Sequence, residues 1–175
     1  MIGFHFSRST PTDLKLNGPE LSYLVQPVNA TEDLSGSASF NAEVSASYPP
    51  GSSDVTTGTF EFHWYLDDVE VTNSTIGVVI TNKVDSTEIT FSDIQSSNDG
   101  KNVYVITDYI PGDKEANAIN DNLKSNEASL TLIPDIVIKK QPESVEVAAG
   151  NDALFSVEAE LENGVTSELF YQWYV

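Results

Sequence analysis

The run Phe60-Glu61-Phe62-His63-Trp64-Tyr65-Leu66-Asp67 alternates apolar and polar side chains with a period of two. A β-strand points successive side chains to opposite faces, so Phe60, Phe62, Trp64 and Leu66 share one face and Glu61, His63, Tyr65 and Asp67 the other. That pattern specifies a half-buried antiparallel strand, with one side on a core and the other in water. The rhythm recurs in Phe40, Ala42, Val44 and Ala46 against Ser39, Asn41, Glu43 and Ser45. It returns at Ile89 and Phe91, along Val103 to Tyr109, and at Ala128, Leu130 and Leu132. Turn-forming clusters separate these runs: Pro49-Pro50-Gly51-Ser52-Ser53, Asp67-Asp68, Asn98-Asp99-Gly100 and Pro111-Gly112-Asp113. Apart from one helical turn expected near Glu115 to Leu123, helical periodicity with caps is missing, and the sequence predicts an all-β chain.

An internal repeat sets the expected domain plan. Gln26-Pro27 recurs as Gln141-Pro142, and Phe40 as Phe155, both 115 positions later. Phe62-His63-Trp64-Tyr65 recurs as Tyr171-Gln172-Trp173-Tyr174 at an offset of 109, which implies a shorter loop before that strand in the second copy. The expected plan is an N-terminal arm at 1–19, a complete domain at 20–134, and the first strands of a second domain at 135–175. Because the second copy stops inside its tryptophan strand, the chain reads as the front of a longer array, with strand exchange between chains as the alternative. Ile133-Pro134-Asp135-Ile136 leaves almost no linker, so the array is expected to be stiff.

Composition narrows the function. Of the 175 residues, 27 are acidic and 8 basic, a formal charge of -19 that repels nucleic-acid phosphates and anionic lipid heads. The first 19 residues are the one segment with a positive balance, from Arg8 and Lys15 against Asp13. With no cysteine, neither a disulfide framework nor a thiolate metal site can form. The opening Met1-Ile2-Gly3-Phe4-His5-Phe6-Ser7-Arg8 lacks a basic region followed by a long apolar core, and no apolar run is long enough to span a bilayer. If Met1 is the native start, the expectation is a protein made and released in the cytoplasm, and neither nucleic acid nor membrane is expected as a partner.

Gln26-Pro27, the Gly36 to Ala46 strand, the Phe62 to Asp67 strand, Asn98-Asp99-Gly100-Lys101-Asn102-Val103-Tyr104 and Glu127-Ala128-Ser129-Leu130-Thr131-Leu132 together resemble strands A, B, C, F and G of an immunoglobulin-like β-sandwich. The resemblance implies one complete sandwich plus the opening strands of a second. It places Trp64 and Trp173 in the role of the core tryptophan, with Phe40, Phe62 and Phe155 as structural core beside them. The inter-sheet disulfide of antibody domains has no counterpart, with Ala42 near one of its positions and Val105 or Ile106 near the other. The spacing to Tyr104 is also stretched relative to a tyrosine corner.

No catalytic constellation assembles. His5 and His63 are the two histidines, and His63, on the outward face, has no second histidine or cysteine beside it. Gly-x-Ser-x-Gly is missing, and Asn98-Asp99-Gly100 is a turn rather than a phosphate loop. Asp67, Asp68 and Glu70 cluster but lack the ligand spacing of a calcium loop, so a solvated turn is expected, with no metal and no cofactor. Asn29-Ala30-Thr31 and Asn73-Ser74-Thr75 match the glycosylation pattern, which is idle without secretion. Two segments read as binding candidates: the polar Ile110 to Asn126 connection, and the arm, where Phe4, Phe6 and Arg8 suit docking into a neighbouring protein.

Cysteine-free immunoglobulin-like repeats with no export signal are similar to virion proteins of tailed bacteriophages, of the capsid decoration, tail, neck or baseplate type. That resemblance implies a non-enzymatic structural or decoration protein, assembled in the host cytoplasm. Its arm would attach to other virion proteins and its outer domains would touch host surface glycans weakly. The alternatives are a bacterial cell-surface adhesin or stalk, and an accessory module of a carbohydrate-active enzyme.

Overall fold

The alternating run from Phe60 to Asp67 becomes the centre of a two-sheet sandwich in the computed structural model of the chain, which describes residues 18–50, 58–112, 117–162 and 168–174. In chain order the strands are β1 (Glu20–Val25), β2 (Ala30–Asp33), β3 (Ser37–Ser47), β4 (Thr59–Leu66), β5 (Val69–Val71), β6 (Val78–Asn82), β7 (Ser86–Ser92), β8 (Lys101–Ile110), β9 (Leu123–Lys124), β10 (Ala128–Ile133), β11 (Ile136–Lys140) and β12 (Glu158–Leu161). One sheet has the order β1-β3-β7-β6; the other runs β2-β10-β8-β4-β5, with β9 added along β8. Every pairing in the sandwich is antiparallel except β2 with β10. The chain therefore crosses from one sheet to the other between β1 and β2, which fastens the two layers along one side.

The period-two pattern places the core as the sequence requires. Phe40, Trp64, Ile89, Val103, Val105 and Leu130 are fully sealed, Phe62 is buried, and Phe60 and Leu66 pack half-buried against them. Fully burying a large apolar side chain is worth about 1.5–3 kcal/mol, so this layer dominates the sandwich's stability. Trp64 lies opposite Val105 on β8, and Ala42 on β3 lies opposite Thr87 on β7. The inward residue near the second disulfide position is thus Val105; Ile106 is its outward neighbour.

Where a disulfide would bridge the layers, hydrogen bonds do so. The buried indole of Trp64 donates Nε1–H to Thr87 Oγ1 at 2.9 Å, and that hydroxyl donates on to Asn82 Oδ1 at 2.6 Å. A second bridge starts from Tyr23 on β1. Its hydroxyl lies 2.7 Å from Thr107 Oγ1, 3.1 Å from the Val105 carbonyl and 3.0 Å from the Leu123 carbonyl. These contacts tie the first sheet to β8 and β9 of the second, and burial of the Tyr23 phenol gives them a low-dielectric setting.

The structure bears on three expectations. The turn expected near Glu115 to Leu123 lies at Ile119–Asn120 without any helix among the described residues of that segment, and a bend at Asn122 leads into β9, while 113–116 lie outside the described residues. The second tryptophan segment forms no described ladder, since β11 pairs with β12 alone. Phe155 and Trp173, expected as structural core of the second domain, are 48% and 53% exposed in this chain. Their repeat counterparts Phe40 and Trp64 are sealed by a facing sheet, whereas β11 and β12 have none among the described residues.

Replacing Thr87 by Val keeps the shape but strands the Trp64 N–H. The expected loss is about 1–3 kcal/mol of unfolding free energy, the cost of a buried unsatisfied donor, read by urea denaturation. A change within error would show that the indole has another partner.

Candidate binding face

The outward face of β4 meets that of β8, β9 and β5, and here the polar half of the sequence pattern is organised rather than merely wet. Asp67 and Asp68 form the two-residue β4–β5 turn with φ of 46° and 63°. Successive left-handed residues match a type I′ hairpin, which aspartate tolerates better than most side chains. Asp67 accepts the Asn102 N–H at 2.9 Å and lies 3.3 Å from Lys101 Nζ. That backbone N–H, ahead of the lysine, holds its carboxyl below the usual range. Asp68 turns the other way and accepts the Tyr104 hydroxyl at 2.8 Å.

Tyr104 is the centre of the face. Its ring stacks on Tyr65 at 5.0 Å between centroids and 9° between planes. Lys124 Nζ sits 3.7 Å from the centroid of the same ring, a cation–π contact, and is paired with Glu127 at 2.7 Å. These surface neighbours, not the sandwich core, cover the ring. The Tyr104 hydroxyl is pushed up to about 12, first by burial and then by its bond to Asp68. The hydroxyl–Asp68 bond and the stack on Tyr65 give Tyr104 a job other than bonding back to its own upstream backbone.

His63, expected to be a lone exposed residue, lies between two carboxylates. Its Nδ1 is 2.9 Å from Glu70 Oε1 and its Nε2 is 3.6 Å from Asp108 Oδ2. The Asp67, Asp68 and Glu70 cluster is therefore divided among Asn102 with Lys101, Tyr104, and His63 respectively. Among the described residues no three histidine, cysteine, aspartate or glutamate side chains converge as metal ligands. No serine or threonine of this face is paired with His63. What the face offers chemically is the half-exposed Tyr65, stacked on the buried Tyr104 and rimmed by carboxylates and one lysine.

The other candidates fall in different places. Phe4, Phe6 and Arg8 lie outside the described residues. Gly18 and Pro19, at the end of the expected arm, are buried against the sandwich, and the Pro19 carbonyl accepts the Ile119 N–H at 2.9 Å. The described part of the Ile110 to Asn126 connection is stitched down onto the sandwich. Ala118 and Ser125 are buried, Asp121 accepts the Tyr109 N–H at 2.7 Å, and Val105 and Ser125 exchange bonds. Asn29 and Asn73, the two glycosylation-pattern asparagines, both accept backbone N–H groups, from Ser129 and Ile80. The bridging residues Thr87 and Tyr23 carry no sequence signal beyond being polar residues beside apolar runs.

Comparison with solved structures matches this geometry to known sandwiches. A three-Ig structure of titin domains in a mutated form aligns with a TM-score of 0.51 at 15% identity, covering 72% of this chain and 36% of that one. The sandwich is immunoglobulin-like. An I-band fragment of titin gives the same TM-score of 0.51 at 15% identity, covering 71% of this chain and 36% of its own. The N-terminal Ig1-2 module of the Drosophila receptor protein tyrosine phosphatase DLAR aligns at a TM-score of 0.48 and 15% identity, over 82% of this chain and 67% of that one. The chain spans 36% of the length of the titin structures it matches. At such identities the likeness is one of fold. No protein-family model and no curated protein matches the sequence.

Two tyrosines with raised pKa give the immunoglobulin-like sandwich an alkaline limit. Tyr23 and Tyr104 are both pushed up to about 12 from 10.0, so the folded state favours their neutral forms. Their contribution is complete below pH 10 and is lost as pH rises toward 12. Stability is expected to fall across that window, and Tyr23→Phe with Tyr104→Phe is expected to flatten the fall. Urea denaturation at stepped alkaline pH checks this, and an equally steep fall in the double variant would contradict it.

Proposed function

We propose that this chain is a non-enzymatic structural protein of a tailed-bacteriophage virion, attached through its N-terminal region and projecting immunoglobulin-like domains toward the host. The observation behind this reading is the means of closing the sandwich. The Trp64–Thr87–Asn82 relay and the Tyr23 bridge span the two sheets in a chain that has no cysteine. Such a domain needs no oxidising compartment to mature, which suits a particle built in a reducing cytoplasm. Only Pro134 and Asp135 separate β10 from β11, which suits serial display along a projecting rod.

The partners in this reading are other virion proteins for the arm and host surface glycans for the outer domains. The Tyr65–Tyr104 stack with Asp68 and Glu70 beside it supplies the aromatic plane and hydrogen-bond acceptors that a sugar ring uses. The acidic charge favours an uncharged sugar over nucleic acid or an anionic membrane. A bacterial cell-surface adhesin would use the same face, and cell fractionation separates the two readings.

Immunogold electron microscopy and mass spectrometry of purified particles provide the test. The chain is expected to copurify with virions, and deleting residues 1–17 is expected to abolish attachment while the sandwich keeps its cooperative melt. The deletion stops short of Gly18 because Gly18 and Pro19 are packed into the sandwich. Recovery in the cell envelope instead of the particle would overturn the virion reading, and undiminished attachment would overturn the role of the arm.

A further inference from the structure

The sheet β1-β3-β7-β6 ends in two edge strands, and an edge normally presents a row of unpaired backbone groups to any passing strand. Both edges here are occupied by asparagine side chains acting as a missing strand would. On β1, Asn120 Oδ1 accepts the Leu21 N–H at 2.7 Å while its Nδ2 donates to the Leu21 carbonyl at 2.8 Å. On β6, Asn73 Oδ1 accepts the Ile80 N–H at 2.6 Å while its Nδ2 donates to the Ile80 carbonyl at 3.3 Å. A primary amide has the same donor and acceptor pair as a peptide unit, so one side chain replaces one rung of a ladder.

The β6 edge is the more exposed to misuse. Val78-Val79-Ile80-Thr81-Asn82 is β-prone and carries no charge, in a chain whose formal net charge is -19. Asn73 is held against it by a tight turn: Thr75 N–H donates to the Thr72 carbonyl at 2.8 Å, and Ser74 N–H to Thr72 Oγ1 at 3.2 Å. The same turn takes the Val78 N–H on the Thr75 carbonyl at 3.2 Å. The hydrogen bonds named here are local, and the end of the turn is tied to β7 by the Ser92 N–H on the Gly77 carbonyl at 2.8 Å.

We propose that the β6 edge is a latched strand-addition site, self-complementary to a second copy of this chain, and that Asn73 is its latch. With the latch open, two β6 strands pair antiparallel about Ile80 and exchange the bonds that Asn73 now makes. Val79 of each copy then faces Thr81 of the other, and no like charges oppose the contact. The second copy is the occupant because β6 is uncharged and pairs antiparallel with itself about Ile80, leaving the outward Ile80 N–H and carbonyl of each copy to bond the other. The sequence motif Asn73-Ser74-Thr75 is, on this reading, an edge closure rather than a sugar acceptor.

Sedimentation velocity over a range of concentrations tests the latch. Asn73→Ala is expected to double in mass with rising concentration relative to the intact chain. Adding Val79→Lys and Thr81→Lys, which sets lysine opposite lysine in the proposed register, is expected to return it to the intact chain's mass. A folded Asn73→Ala that sediments like the intact chain overturns the proposal, as does assembly that persists in the lysine variant. Should Asn73→Ala fail to fold, amide exchange in the intact chain decides. Ile80 protected like Ile89 supports the latch, and Ile80 exchanging like an open loop overturns it.

Discussion

A tryptophan indole cannot be buried cheaply unless its N–H finds an acceptor. Trp64 is fully sealed, and the acceptor it finds is on the opposite sheet. That requirement fixes the position of β7 relative to β4, because only Thr87 in its present register reaches the indole. Asn82 Oδ1 then accepts the hydrogen bond of the Thr87 hydroxyl and brings β6 into the same arrangement. Ala42, next to Thr87 in the ladder, is small enough to leave the ring its space. Ala42 and Val105 thus stand near the positions that a disulfide joins in antibody domains, and the polar relay of their ladder neighbours Thr87 and Trp64 links the two sheets instead.

The same economy governs the periphery. Tyr23 ties β1 to β8 and β9, Asn120 laps the segment after β8 onto β1, and Asn73 laps the β5–β6 crossing onto β6. Polar side chains thereby replace missing backbone neighbours at the seams of the sandwich, where loops must pass between layers. The outer face of the second sheet differs, because there the polar groups bond to one another and leave Tyr65 half-exposed above Tyr104. Seams and face use the same residue types, but at the seams they bond backbone groups and on the face they bond one another.

Much of the fold is legible in the chain because burial imposes a period of two on every strand with one wet side. Phe40, Phe62 and Trp64 announce themselves in that way, and Asp67-Asp68 announces a hairpin by its tolerance of left-handed backbone. The pairing of Tyr104 with Tyr65, and of His63 with Glu70 and Asp108, is not legible, since each depends on strand register rather than on local pattern. Thr87 and Tyr23 are similarly hidden, because a period-two reading marks which side a residue faces and not which atom across the core it meets. Phe155 and Trp173 repeat the pattern of Phe40 and Trp64 faithfully, yet burial requires a facing sheet as well as an apolar side.

The most direct test of this account is hydrogen exchange at the indole N–H groups, followed by two-dimensional nitrogen–proton NMR. The chain has two tryptophans, and their indole signals can be assigned with Trp173→Phe. The account predicts that the Trp64 N–H resists exchange as long as the core amides do, while the Trp173 N–H exchanges at once. Rapid exchange at both would contradict it, because an indole open to water could not be the bond that holds the two sheets in register.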